Sequence, residues 1–237
     1  MSRFAPLSAV ALTLLAAHGS PALAASACTD NVGWSPAPKQ TLPTHARVVF
    51  FNDGRGGSAS DDSKIVASIG KKAVKTKITH LKSAPYDLTI IEIDSDRTGE
   101  LSVGFGDDDL VTYTVGKVSM PKQVAGKVAR FQREYRHTSV REKYDGLSLH
   151  LPPGTPAVTA HIKIRRDDKA KWSELDVPIT PDDATKVPSI WIGELGCVSN
   201  YTVALLEAGV DLDVTVTLAD GTTRAVTVPA HVALPKN

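Results

Sequence analysis

The chain is poor in several things at once. Its 237 residues include two cysteines and 5% aromatics, with 27 basic residues against 26 acidic ones. So even a balance argues against nucleic acid or an anionic membrane surface as the main partner, since both require a concentrated basic patch. The densest basic cluster, Lys71, Lys72, Lys75 and Lys77, has no stacking aromatics among it and reads as a solvated strand face. After residue 27 no run approaches the ~20 apolar residues of a membrane-spanning helix. G-x-S-x-G, H-E-x-x-H and C-x-x-C are all missing, and neither cysteine reads as a nucleophile. The sequence therefore offers no catalytic residue and calls for no cofactor.

The first 27 residues read as a targeting segment. Arg3 is their one charge, Leu7 to Ala17 is apolar, and Ala22-Leu23-Ala24 is a small-x-small cleavage site, giving a signal peptide over 1–24. Without Arg3 the basic and acidic residues are equal at 26. The expected location is secreted or periplasmic. In an exported chain Cys28 and Cys197 read as a disulfide. Loop closure of this length stabilises by roughly 5 kcal/mol at most. Ala25-Ser26-Ala27-Cys28 also resembles a degraded lipobox, so anchoring through a lipidated Cys28 is the alternative.

What the chain does have is alternation. Leu212, Val214, Val216 and Leu218 alternate with Asp211, Asp213, Thr215 and Thr217, the period-2 pattern of a half-buried strand. Asp220-Gly221 then turns the chain, and Val226 and Val228 resume the pattern. Tyr201 to Leu205 reads as a further strand, with Leu206 to Gly209 as the corner between. Upstream, Arg47–Phe51, Ile65–Ile69, Val74–Leu81, Leu88–Ile93, Leu101–Phe105 and Val111–Val115 are short apolar runs between turn residues. Leu147 to Leu151, Val158 to Ile164, Trp172 to Ile179 and Ser189 to Ile192 follow in the second half. Lys127 to Tyr135 fits either a helical stripe or a strand. Residues 25–45, rich in proline and without periodicity, read as an extended lead-in.

The spacing Leu206, Gly209, Leu212, Val214, Val216 resembles the corner of bacterial fibronectin type III-like and immunoglobulin-like sandwiches, with Leu212 where that family usually has Tyr. Leu81 to Ile93 resembles a looser copy. The resemblance implies an all-β chain of two such β-sandwich domains, over 46–118 and 127–237 with a linker at 119–126, and it selects a strand for Lys127 to Tyr135. It also places His150 and His161 on opposite sheets, where they cannot share a metal.

If the third and sixth strands of the second domain are neighbours, His161, Lys163 and Arg165 stand beside Asp211 and Asp213 on one wet face. That is the candidate ligand face. Trp34, Trp172 and Trp191 are carbohydrate platforms if exposed, and Trp191 reads as core. Asp107, Asp108 and Asp109 are weak candidates for holding Ca²⁺. Asp94 to Glu100 begins like a calcium loop but has Phe105 where the bidentate Glu belongs, so it reads as a hairpin turn. Gly54 to Ala59 matches G-x-G-x-x-A without the helix and acidic residue that a dinucleotide fold needs. The expectation is an exported, non-catalytic binding or structural module whose partner is a protein or glycan of the cell envelope. The rivals are a hydrolase built on loop carboxylates (Asp61, Asp94, Asp107, Asp182) and a lipid-anchored partner subunit.

Overall fold

The computed structural model describes residues 32–52, 64–83, 86–106, 109–137, 140–182, 185–195, 198–199 and 203–235. The first half supplies nine strands: β1 (Gly33–Ser35), β2 (Thr41–Leu42), β3 (Arg47–Asn52), β4 (Ile65–Ile69), β5 (Lys72–Ala73), β6 (Lys75–Ser83), β7 (Tyr86–Asp94), β8 (Gly99–Phe105) and β9 (Asp109–Val115). The second supplies β10 (Val124–Ala125), β11 (Lys127–His137), β12 (Val140–His150), β13 (Ala157–Arg165), β14 (Ser173–Pro178), β15 (Thr180–Pro181), β16 (Pro188–Leu195) and β17 (Val198–Ser199). After a short helix, α1 (Val203–Ala208), come β18 (Val210–Leu218), β19 (Thr223–Thr227) and β20 (His231–Val232). The chain is all-β apart from that helix, among the described residues.

The strands form four sheets, and none mixes the halves. The first half gives β1-β3-β7-β6 and β2-β9-β8-β4-β5. The second gives β11-β12-β16-β15, with β17 beside β16, and β10-β19-β18-β13-β14, with β20 beside β18. From β3 and from β12 onward the strands visit the two sheets of their half in the same order. In each half, a short early strand lies parallel to the last long one, β2 to β9 and β10 to β19. Gly33–Ser35 and Thr41–Leu42, inside the stretch read as a lead-in, are thus paired into sheets.

Strand β18 shows why the sequence makes this structure. Leu212, Val214, Val216 and Leu218 are at most 6% exposed and meet Ile164, Ile162 and Ala160 of β13 across the pair. Burying one such aliphatic side chain contributes about 1.5–3 kcal/mol. The turn after β18 works as its residues demand. Gly221 takes φ 82°, and Asp220 accepts hydrogen bonds from the Thr222 backbone N–H (2.9 Å) and hydroxyl (2.7 Å).

Three local readings are corrected. Val203 to Leu205 belongs to α1, not to a strand; Leu206 is its one buried residue and anchors the corner. Asp94 to Glu100 is not a hairpin, because β7 and β8 lie in different sheets. Leu81 to Ile93, by contrast, is a hairpin: β6 and β7 pair within one sheet from Lys75↔Asp94 to Ser83↔Tyr86. It occupies a different kind of connection from the α1 corner, which joins β16 and β18 across two sheets.

Strand β3 breaks the alternation, and the break joins the two halves. Val48 and Val49 are both fully buried. Phe50, on the Val48 face, meets Trp34 (5.2 Å between ring centroids) and Phe105 of the facing sheet (4.7 Å). Val49 and Phe51 lie on the other face, as does Ser35, the register partner of Val49. That face packs on the second half. Ser35 Oγ lies 2.7 Å from the Val158 carbonyl and 2.6 Å from that of Ile179, with one proton to share between them. The Asp176 N–H donates to Ser83 Oγ (2.6 Å) and the Arg47 N–H to the Ala219 carbonyl (2.6 Å). A four-residue apolar run is what a strand buried on both faces needs.

Candidate ligand face

The inward face of sheet β14-β13-β18 is committed to the core, so its chemistry lies on the outward side. Alternation along β13 turns His161, Lys163 and Arg165 away from the buried Ala160, Ile162 and Ile164. Along β18 it does the same for Asp211, Asp213, Thr215 and Thr217. The register brings the two sets together as His161↔Thr215, Lys163↔Asp213 and Arg165↔Asp211. All five residues of the candidate face therefore share one surface. Strand β14 adds Glu174 beside Lys163 and Asp176 beside His161.

Four of the five side chains, those of His161, Lys163, Arg165 and Asp211, are tied into pairs. Arg165 donates from Nε to Asp211 Oδ2 (3.0 Å), and Asp211 Oδ1 lies 3.1 Å from His231 Nδ1. The hydrogen bond from His231, helped by that from Arg165, holds the Asp211 carboxyl below the usual carboxylate range. Lys163 Nζ sits 3.4 Å from Glu174, and His161 Nδ1 sits 3.0 Å from Asp176. At the open end, Arg165 lies over the ring of Trp172, 4.5 Å from its centroid. Arg165 also donates to the Asp168 carbonyl (3.2 Å). Asp167 fastens the loop leading to Trp172 by accepting from the backbone N–H groups of Lys169 and Ala170, both at 3.0 Å. Trp172 is 40% exposed.

Sequence reasoning passed over Glu174, Asp176 and His231 as members of this face. The first two were legible, since they alternate with Leu175 and Val177 in SELDVP. His231 was not, because its place depends on a two-residue strand pairing Asp211↔His231. Gly209 makes that pairing possible. Its φ is 94°, and a Cβ there would run into the His231 ring.

The remaining candidates fall elsewhere. Cys28, Cys197, Asp61, Asp107 and Asp108 lie outside the described residues; Asp109 opens β9 and is exposed. Among the described residues no group of three His, Cys, Asp or Glu side chains is placed to hold a metal ion. Asp94 pairs with His45 (3.1 Å) in the first half. Asp182, in the second, is nearly buried, accepts from the Thr185 N–H and hydroxyl, and stands 3.8 Å from His150 Nε2. Trp34 and Trp191 are part-buried; Trp191 packs edge-on against Phe131 at 3.7 Å. Among the described residues no helix is long and apolar enough to cross a membrane.

No family model matches the chain, and no curated protein matches it. Among solved structures, pullulanase type I from Bacillus subtilis str. 168 complexed with maltose aligns over 81% of this chain and 27% of its own, with 9% identity and a TM-score of 0.27. The pullulanase of Group B Streptococcus aligns over 88% and 27%, with 10% identity and a TM-score of 0.26. Dimeric latent PorU from Porphyromonas gingivalis aligns over 87% and 20%, with 14% identity and a TM-score of 0.25. The chain thus spans about a quarter of the length of these structures or less. At such scores the likeness carries no argument about fold or function.

Proposed function

We propose that the protein is an exported, non-catalytic binding module of the cell envelope, built from two immunoglobulin-like or fibronectin type III-like β-sandwich domains. Export rests on the leader before Cys28, and the Cys28–Cys197 disulfide on the pairing expected of an exported chain. What supports the domain reading is that from β3 and from β12 onward the strands of both halves visit their two sheets in the same order, and that each half has a short early strand parallel to a later one, β2 to β9 and β10 to β19. The observation that carries the function is the outward face of β14-β13-β18. His161, Lys163, Arg165 and Asp211 are held in cross-strand pairs, and its inward face consists of core residues. Ordered donors and acceptors of both signs on a rigid sheet lose little freedom when a partner docks. The partner is a protein or glycan of the envelope, recognised without cofactor or bond-making chemistry.

The test is co-sedimentation of the purified full chain with isolated cell envelopes. The chain is expected to bind, and Arg165→Glu, which sets like charges together with Asp211 at the open end of the face, is expected to weaken binding at least tenfold. Absence of binding to any envelope fraction, or equal binding by the Arg165→Glu chain, contradicts the proposal.

A further inference from the structure

We infer that the open end of this face, at Trp172, is a platform for an uncharged saccharide. The inference rests on the binding-module reading and names the chemistry of its ligand. Trp172 is 40% exposed, while Trp34 and Trp191 are packed into or against the core. An indole on a surface is ordinarily free to turn. This one is held: Arg165 stacks on the ring, and Arg165 is fixed by Asp211 and the Asp168 carbonyl. The guanidinium takes one face of the indole. The part of the indole that stays exposed is offered to the C–H-rich side of a pyranose ring, which packs flat on an aromatic surface.

Sugar hydroxyls both donate and accept hydrogen bonds, and the groups around the ring do both. Asp211 is an acceptor, while Arg165, whose guanidinium has five N–H donors, supplies donors beyond those given to Asp211 and the Asp168 carbonyl. Charge narrows the class further. On this face Asp211, Asp213, Glu174 and Asp176 outnumber Lys163 and Arg165, so a polyanionic glycan meets net repulsion and an uncharged one does not. Few ring contacts at a single platform give weak binding per site, as expected of a module that acts on a repeating polymer.

The experiment is affinity electrophoresis of the full chain through gels containing a soluble neutral polysaccharide (a β-glucan, an α-glucan, a galactomannan or a xylan) or polyanionic alginate. At least one neutral polymer is expected to retard the chain and alginate is not. Trp172→Leu, which keeps the apolar bulk without an aromatic face, is expected to lower the affinity at least tenfold. Trp172→Phe is expected to retain most of it. No retardation by any neutral polymer, retardation by alginate alone, or a Trp172→Leu chain retarded like the parent overturns the platform. Envelope binding that survives Trp172→Leu in a chain that ignores every neutral polymer also overturns it, while leaving the binding-module reading in place.

Discussion

Gly209 and His45 show how much single positions decide. With φ at 94° and the His231 ring where a Cβ would stand, any replacement of Gly209 is strained in its backbone and must displace His231. Gly209→Ala is expected to destabilise by more than about 1 kcal/mol, read as a lower urea midpoint with an unchanged slope. It should also loosen His231 from Asp211. His45 makes a different kind of contact. Its two ring nitrogens reach Asp96 (2.8 Å) and Asp94 (3.1 Å), and the hydrogen bond it donates to Asp96, more than that to Asp94, raises its pKa above the ordinary imidazole value. A raised folded-state pKa means the interaction is fully present below the unfolded value of about 6.5 and fades as pH rises through the folded one. An NMR titration should place the His45 midpoint above that of an unpaired histidine, and Asp96→Asn should lower it. An unmoved midpoint in Asp96→Asn removes the assigned cause.

For single elements, alternation was the most readable signal in the chain. The two faces of the β13–β18 pair respond differently because only one of them faces the core. Ile162→Ala, from a fully buried position, is expected to cost about 2–5 kcal/mol. Thr215→Ala, on the outward face, should change stability by less than about 0.5 kcal/mol. Comparing the two by chemical denaturation checks the register directly, since a slip of one residue would exchange the outcomes. Where the pattern is long, as in Leu212 to Leu218, the sequence identified both strand and face. Elements of one turn or two residues were illegible. Val203 to Leu205 follows Tyr201 and Thr202 and so read as the end of a strand, although Ala204, Leu205 and Leu206 favour the helix that forms. The acidic run Asp94 to Glu100 looked like a hairpin because turn residues do not reveal whether the next strand stays in the same sheet. Trp172 sat at the edge of an apolar run, and only the turn built on Asp167 leaves it exposed.

In the whole molecule, the feature least expected from sequence is the contact between halves. The run Val48-Val49-Phe50-Phe51 was legible as a strand, but alternation arguments assign one buried face, and this strand has two. Leu88 and Tyr86 of β7 share the second face with Val49 and Phe51 and are likewise buried. A contact of this kind couples the halves, so calorimetry should show one unfolding transition for the full chain. Val49→Asp places an unpaired carboxylate in the contact, at a cost of more than about 2 kcal/mol. It should split the transition in two as the halves come apart. Two transitions in the parent chain would show the contact to be energetically idle.

The outward face of β14-β13-β18 carries the functional account, and hydrogen exchange of the full chain with and without isolated envelopes tests it most directly. Added protection should fall on the loop leading to Trp172, on the start of β18 and on β20. Protection confined to the first half, or none anywhere, would contradict it.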